Sequence, residues 1–207
     1  MRSFKTDQEV FWAGQFGDDY VDRNNGADAI AANIALFSKI LSRTDQVNSV
    51  LELGANLGLN LHALKTLRPS AVFSAVEIND KAIKHLQQLK WVQPYHQSLL
   101  DFQAEAEYDL VLIKGVLIHI NPDFIDKVYN LLYQASCKYI LVIEYFNPVP
   151  VEVTYRGHEN KLFKRDFAGD LLDKYPDLKL VDYGFSYHRD PNFPQDDTTW
   201  FLMKKTT

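Results

Sequence analysis

Short apolar runs alternate with segments of helical periodicity in the middle of the chain, and this alternation constrains the fold most strongly. The apolar runs predicted to be strands are residues 49–53, 71–76, 91–96, 108–113 and 139–144. The segments predicted to be helices, the first of them preceded by turn-like residues 24–26, are residues 27–42, 59–67, 80–89 and 124–135. Strands that alternate with helices of this length predict right-handed βαβ crossovers and a parallel sheet covered on both faces.

Two further strand-like runs, residues 179–187 and 198–204, are separated by a loop rich in Pro and Asp. Because no helical pattern lies between them, the pair is predicted to be antiparallel. The predicted fold class is therefore α/β, with a Rossmann-like, doubly wound, mostly parallel seven-stranded sheet that ends in an antiparallel strand pair. A chain of 207 residues is long enough to form one domain around its own core.

Charge and cysteine content exclude several classes of function. The formal net charge is −5, so the chain as a whole lacks the positive charge expected of a nucleic-acid-binding protein. Cys137 is the only cysteine, which rules out an intrachain disulfide and a cysteine-based zinc cluster. The first residues lack the apolar stretch of a secretory signal, and the apolar runs are too short to span a bilayer. We therefore expect a cytoplasmic protein without a membrane partner.

Two glycines, Gly54 and Gly58, follow the first predicted strand and lead into a helix, and Glu77 ends the second strand. Glycine lets the backbone turn sharply and lets a ligand approach the main chain closely. A carboxylate after the second strand can accept hydrogen bonds from ribose hydroxyls. Taken alone, the glycines also fit a tight turn that binds no ligand. A dinucleotide fingerprint would need further glycines where Asn56 and Leu59 stand, so that fold is not indicated.

The pattern Glu52-x-Gly54-x-x-x-Gly58, together with Glu77, resembles the cofactor site of class I S-adenosylmethionine-dependent methyltransferases. The resemblance implies S-adenosyl-L-methionine as cofactor, with both glycines against its amino-acid end, Glu52 beneath it and Glu77 on its ribose. The sequence departs from the family at Asn56, where the family has the middle glycine of the loop.

Further contacts with the cofactor follow from the same resemblance. Ser98 stands where the family has an acid that binds the adenine amine, with Leu99 as a backbone contact and Asp101 as the alternative to Ser98. Residues 113–120 resemble the segment that runs beside the sulfonium. The cofactor-binding residues expected in this way are Tyr20, Arg23, Glu52, Gly54, Asn56, Gly58, Glu77, Ile78, Ser98, Leu99 and Lys114.

The segment before the core is interpreted as a helical lid. Tyr20 and Arg23 are three residues apart, so one helical face can present both, and Arg23 can pair with the methionine carboxylate of the cofactor. Trp12 and Phe16 are interpreted as rings that fasten the helix to the core.

The resulting division of the single methyltransferase domain, residues 1–207, has three parts. They are a lid over residues 1–44, a cofactor-binding core over residues 45–146, and an acceptor-side loop with the C-terminal strand pair over residues 147–207.

The loop over residues 147–163 exceeds the usual length of roughly 2–6 residues and follows the carboxyl end of a strand, where open α/β sheets bind ligands. It is locally basic, which favours an anionic acceptor. Lys161 and Lys164 are interpreted as solvated surface, and Arg156, Tyr145 and Phe146 as substrate-binding residues.

Both ends of the chain, notably residues 11–24 and 144–167, also resemble methylases associated with the biosynthesis of pseudaminic acid and similar nonulosonic sugars. This narrower resemblance implies a sugar or nucleotide-sugar acceptor.

A hydroxyl acceptor would benefit from a general base, and His119, just past the fourth strand, is the best-placed histidine. His158 and Tyr155, on the basic loop, are the other catalytic candidates. His119, Glu144, His158 and His188 have no metal-ligand spacing, so no metal is predicted.

The functional hypothesis is methyl transfer to a small, anionic sugar or nucleotide-sugar metabolite. The alternatives are methylation of another small molecule or of a protein side chain, and a non-catalytic cofactor-binding module in a glycan pathway. The sequence leaves open the acceptor atom and the oligomeric state.

Overall fold

The computed structural model describes residues 3–24 and 26–206. Asn25, part of the turn predicted before the third helix, lies outside the described residues. The helices are α1 Asp7–Ala13, α2 Gln15–Arg23, α3 Ala27–Leu41, α4 Leu59–Leu67, α5 Asp80–Leu86, α6 Ile125–Ala135 and α7 Phe167–Lys174. Two short 3₁₀ turns, Leu117–His119 and Pro122–Phe124, lie between the fourth strand and α6.

The strands are β1 Ser49–Leu53, β2 Val72–Glu77, β3 Val92–His96, β4 Tyr108–Lys114, β5 Ser136–Glu144, β6 Val151–Glu152, β7 Phe163–Lys164, β8 Leu178–Phe185 and β9 Thr199–Lys205. Seven of them form one sheet in the order β3-β2-β1-β4-β5-β9-β8. The first five are parallel to their neighbours, and β9 runs antiparallel to both β5 and β8. The predicted fold class, including the antiparallel pair at the end of the sheet, is therefore confirmed.

Each face of the sheet carries one apolar cluster, because successive residues of a strand point to opposite faces. On one face Val50 lies in a cluster with Phe37 of α3. On the other face Leu51 lies in a cluster with Val128 of α6 and Leu171 of α7. All five side chains are buried, which explains why the central strands read as nearly continuous apolar runs.

The N-terminal segment forms two short helices that meet at Gly14. Thr6 and Glu9 form a capping box that starts α1. In α2, Gly17 packs so closely that a Cβ atom there would lie 1.9 Å from the carbonyl oxygen of Trp12 and 2.8 Å from the side-chain nitrogen of Asn79. Glycine is therefore needed where α2 crosses the start of α5.

Residues 147–163, predicted to be a loop, instead contain most of a small β-hairpin. Strand β6 pairs with β7 in antiparallel fashion, and an isolated bridge joins Tyr155 to His158 between them. The pattern was too short to be recognised, since each strand has only two residues. No helix of the described residues is long and apolar enough to cross a membrane.

Candidate functional site

A cavity of about 560 Å³ lies at the carboxyl ends of the parallel strands, a volume within the roughly 300–1,000 Å³ of small-molecule sites. Residues that follow β1 to β5 form its floor, and α1, α2 and the loop between β8 and β9 cover it. Ten of the residues predicted from the sequence line it: Tyr20, Gly54, Asn56, Glu77, Ile78, Ser98, Leu99, Lys114, His119 and Tyr145.

The turn after β1 depends on three residues with positive φ: Gly54 at 78°, Asn56 at 47° and Gly58 at 76°. A Cβ at Gly54 would lie 2.5 Å from a methyl carbon of Val116, and one at Gly58 would lie 2.9 Å from Leu86. Asparagine enters the left-handed region more readily than most other non-glycine residues, which explains how Asn56 adopts a φ of 47° in this turn.

Glu77 is a buried carboxylate at the end of β2 that holds two loops of the cavity. Its Oε2 accepts the backbone N–H of Asn56 at 2.7 Å, and its Oε1 accepts those of Ile78 and Asn79, each at 2.8 Å. Burial raises the pKa of Glu77, and the three N–H donors limit that rise. One carboxylate thus fixes the β1 turn against the residues after β2.

Glu52 and Lys114 form the polar floor under this turn. Glu52 Oε1 accepts a hydrogen bond from the side-chain amide of Asn60 at 2.6 Å, while its buried Oε2 has no partner among the residues that the structure describes. Burial raises the pKa of Glu52 to about 8 and lowers the pKa of Lys114 to about 8. Lys114 donates to Asn33 at 2.7 Å and to Gln195 at 3.0 Å.

At the other end of the cavity, Ser98 donates a hydrogen bond to Glu9 of α1 and accepts the backbone N–H of Leu100 at 3.0 Å. Asp101, the alternative to Ser98, is exposed, pairs with Lys5 and does not line the cavity. Glu9 is a cavity residue that sequence reasoning missed. The capping-box pattern could have located the helix start, but not the contact with Ser98.

Several predicted site residues lie outside the cavity lining. Glu52 and Gly58 are not among its lining residues. The guanidinium carbon of Arg23 lies 5.6 Å from the ring centre of Phe16. Phe146 is 42% exposed on the outer surface and does not face the cavity.

The predicted loop residues form an aromatic layer beside the lid. The Tyr155 ring lies 5.8 Å from Phe16, the Arg156 guanidinium carbon lies 5.9 Å from the Tyr155 ring, and the His158 ring lies 5.0 Å from Phe11. None of Tyr155, Arg156 and His158 lines the cavity. Their predicted catalytic and binding roles stay predictions.

His119 is buried and lines the cavity. Its Nδ1 lies 2.6 Å from the carbonyl oxygen of Lys161. Because a carbonyl only accepts, Nδ1 carries the proton and Nε2 keeps its lone pair. Burial lowers the pKa of His119 to about 4, although the hydrogen bond to the Lys161 carbonyl acts in the opposite direction. Its ring centre lies 4.6 Å from that of Trp12, so His119 is a neutral group in an aromatic wall.

Glu144 ends β5 and braces the loop after β4. Its Oε1 accepts the backbone N–H groups of Val116 and Leu117, each at 2.9 Å. Burial raises the pKa of Glu144 to about 7, and these N–H donors oppose the rise. Within the described chain, no group of three or more His, Cys, Asp and Glu residues is arranged to hold a metal ion.

The loop between β8 and β9 forms one wall of the cavity, although the sequence pattern predicted only a connection between two strands. Its cavity-lining residues are His188, Pro194, Gln195, Asp196 and Thr198. Gln195 is anchored by the hydrogen bond from Lys114. Burial raises the pKa of Tyr20 to about 12, and the negative charge of Asp196 contributes to this rise. The Pro- and Asp-rich composition of this segment was the sequence signal for a loop with defined turns.

No protein-family model matches the chain, and no curated protein matches it in sequence. Three solved structures illustrate its structural similarity to other proteins. Magnesium protoporphyrin IX methyltransferase (ChlM) from Synechocystis PCC 6803, with bound SAH, is 14% identical; the match covers 96% of this chain and 98% of that one, with a TM-score of 0.67.

The plantazolicin methyltransferase BpumL, in complex with SAH, is 13% identical over 97% of this chain and 94% of that one, with a TM-score of 0.68. The 1,6-didemethyltoxoflavin-N1-methyltransferase of Burkholderia thailandensis, with bound 1,6-didemethyltoxoflavin and S-adenosylhomocysteine, is 14% identical over 97% of this chain and 87% of that one, with a TM-score of 0.69. The chain therefore has the Rossmann-like methyltransferase fold. No family match supports the narrower resemblance to pseudaminic acid-associated methylases.

Proposed function

We propose that the protein is an S-adenosylmethionine-dependent methyltransferase that acts on a small-molecule acceptor. The observation that carries the proposal is the position of Glu77, which lines the cavity and at the same time braces the glycine turn through Asn56. Similar solved structures hold S-adenosylmethionine or S-adenosylhomocysteine (SAH), which supports the same cofactor here.

The residues present fit this cofactor. Glu77 can accept ribose hydroxyls, and Ser98 and Leu99 stand where the adenine would lie. The buried Asn56 Oδ1, which has no partner among the described residues, belongs to a cavity-lining residue and suits a donor group of the amino-acid end. When bound, S-adenosylmethionine supplies a methyl group already activated by a sulfonium. The protein then has to orient the acceptor and exclude water.

Aromatic groups supply much of the wall where the acceptor would lie. Tyr20, Tyr145, Trp12 and His119 line the cavity beyond the β4 loop. Apolar rings with few polar groups favour a small acceptor and exclude water. His119, neutral and with a free lone pair on Nε2, can accept a hydrogen bond from the acceptor and orient it.

Our more specific hypothesis is an anionic sugar or nucleotide-sugar acceptor, as in nonulosonic acid pathways. Its support is the resemblance of the chain ends and the nearby positive charge of Arg156 and Arg23, both of which lower the pKa of Tyr20 against burial. In this hypothesis Arg156 and Phe146 bind the acceptor from the rim. The alternative acceptors are another small molecule and a protein side chain.

The test begins with calorimetric titration of SAH into the wild-type protein and Glu77→Ala. We expect the variant to bind at least about 100-fold more weakly, because hydrogen bonds to a charged group contribute about 1.5–3 kcal/mol each. Glu107→Ala, at an exposed carboxylate, is the matched control and should bind like wild type. Glu77→Gln and circular dichroism separate loss of binding from loss of fold.

Labelled S-adenosylmethionine is then incubated with nucleotide-activated sugars, sugar acids, aromatic hydroxyl compounds and peptides, and products are read by mass spectrometry. Absence of SAH binding by the wild-type protein would contradict the proposed function. Binding without turnover of any compound would favour the non-catalytic module. Methylation confined to uncharged or aromatic compounds would contradict the sugar hypothesis alone.

A further inference from the structure

A second histidine, His188, lines the same cavity from the loop between β8 and β9. The carboxylate of Asp197 holds it at two points. The backbone N–H of His188 donates to Asp197 Oδ1 at 2.9 Å, and the ring Nδ1 lies 2.8 Å from both Oδ1 and Oδ2. One carboxylate therefore fixes both the position of the backbone and the orientation of the ring.

The tautomer of His188 follows from its partner. An ionised carboxylate only accepts hydrogen bonds, so Nδ1 must carry the proton and Nε2 must present its lone pair. Hydrogen bonds from the backbone N–H and the ring of His188 keep the pKa of the Asp197 carboxyl below its ordinary value. The arrangement is a carboxylate–imidazole pair in which the acid orients the ring and stabilises the imidazolium that forms when the ring takes a proton.

His119 lines the cavity with the same tautomer but a different partner. Its Nδ1 donates to a neutral carbonyl, and its ring is buried, so it has no carboxylate to stabilise a positive charge. The His188 side chain is 57% exposed, and its carboxylate is in direct contact. Of the two histidines, His188 is therefore better suited to hold a proton, while His119 is suited to accept a hydrogen bond.

We propose that His188 is the general base of the methyl transfer and that Asp197 is its positioning residue. The proposal rests on the proposed methyltransferase function. An acceptor hydroxyl or amine forms its new bond to the methyl carbon as the carbon–sulfur bond breaks and SAH leaves. The acceptor proton passes to His188 Nε2, and the imidazolium later releases it to solvent at the mouth of the cavity.

Arg189 and Asp196 are the charged neighbours of His188 and Asp197 along the chain, and Asp196 also lines the cavity. Asp190 caps the same loop by accepting the backbone N–H groups of Asn192 at 2.8 Å and Phe193 at 2.7 Å. Asp190 therefore provides a matched control, since it braces the loop without contacting His188 through any described hydrogen bond.

The kinetic experiment compares wild type, His188→Gln, Asp197→Asn, Asp190→Asn and His85→Gln on the hydroxyl or amine compound of the acceptor panel that wild type methylates fastest. We expect His188→Gln to lower kcat by about 100-fold or more, with unchanged SAH affinity. Asp197→Asn should lower kcat by about 10-fold or more with an unchanged KM for the acceptor, because Asp197 acts only through the His188 ring. The two controls should retain wild-type kcat.

A second measurement does not depend on the acceptor. Nitrogen-15 spectra of the histidine rings, recorded at pH 8 with saturating SAH, should show His188 protonated at Nδ1 and unprotonated at Nε2. The opposite tautomer would overturn the proposal.

Three kinetic results would also overturn the proposal. They are a wild-type kcat in His188→Gln, an equal loss of kcat in Asp190→Asn and Asp197→Asn, and methylation found only on carboxylates. Failure of wild type to bind SAH would instead contradict the proposed function, so the two failures are distinguishable.

Discussion

The two halves of the cavity are built in different ways. The cofactor half, residues 52–60 and 77–79, is held by the Glu77 carboxylate, which accepts backbone N–H groups on both sides of the cavity, including that of Asn56. The acceptor half consists of the lid, the β6–β7 hairpin and the β8–β9 loop. Its contacts join distant segments: Gln8 donates to the Asn160 carbonyl at 2.8 Å, 152 residues away.

This difference in construction separates cofactor binding from acceptor recognition. Backbone hydrogen bonds to a carboxylate depend little on the identity of the side chains around them, so the cofactor half can keep its geometry while the rest of the sequence changes. Side-chain contacts between distant segments change with single substitutions. The acceptor half can therefore change its specificity while the fold stays intact.

Gly54→Ala tests the cofactor half and should have the largest effect. Alanine at a φ of 78°, with its Cβ 2.5 Å from Val116, combines backbone strain with steric overlap. We expect a loss of about 3 kcal/mol in the free energy of unfolding and at least about 10-fold weaker SAH binding. Urea unfolding and calorimetry measure the two effects.

The matched control is Gly157→Ala in the acceptor half. Gly157 also has a positive φ, 85°, but nothing lies within 4 Å of a Cβ atom there. Only the conformational cost of about 1 kcal/mol should remain, with unchanged SAH binding. Equal losses in the two variants would mean that the contact with Val116 does not matter, and the contrast between the halves would fail at this point.

His119→Gln tests the acceptor half through pH. The folded pKa of about 4 lies below the ordinary 6.5, so the unfolded chain takes the proton first as the pH falls. Wild type should therefore lose stability between pH 6.5 and 4, by up to about 3 kcal/mol from this group. The variant lacks this loss, and its amide can still donate to the Lys161 carbonyl.

Urea unfolding of both proteins at pH 4.5, 5.5 and 7 isolates the contribution of His119, because the buried carboxyls Glu52 and Glu144 are common to both. The stability difference between the proteins should shrink or reverse in favour of the variant as the pH falls. Parallel curves would show that His119 exchanges protons with solvent equally in the folded and unfolded chains.

Sequence reasoning succeeded where structure is local. The strand over residues 49–53 and the turn with Gly54 could be predicted because apolar periodicity and positive φ are properties of neighbouring residues. The position of Glu77 at the end of β2 followed from the same pattern.

Other site residues depend on contacts that no local pattern encodes. The hydrogen bond from Ser98 to Glu9 joins residues 89 positions apart, and that from Lys114 to Gln195 joins residues 81 apart. Asp197 is nine residues from His188, but its role depends on how the β8–β9 loop folds over the cavity. The role of Arg23 toward the cofactor stays a prediction; its guanidinium lies beside the Phe16 ring of the same helix.

The contact between Glu9 and Ser98 joins the two halves, so Glu9→Gln measures how strongly the lid is coupled to the cofactor site. The amide oxygen can accept either from Ser98 or from the backbone N–H groups of Lys5 and Thr6, no longer from both, and it lacks the charge that strengthens these bonds. We expect a loss of about 1 kcal/mol, seen as roughly 5-fold weaker SAH binding. Asp7→Asn, at an exposed acid of the same first turn, is the matched control. If both variants bind SAH like wild type, α1 covers the cavity without contributing to cofactor affinity, and the lid belongs to the acceptor half alone.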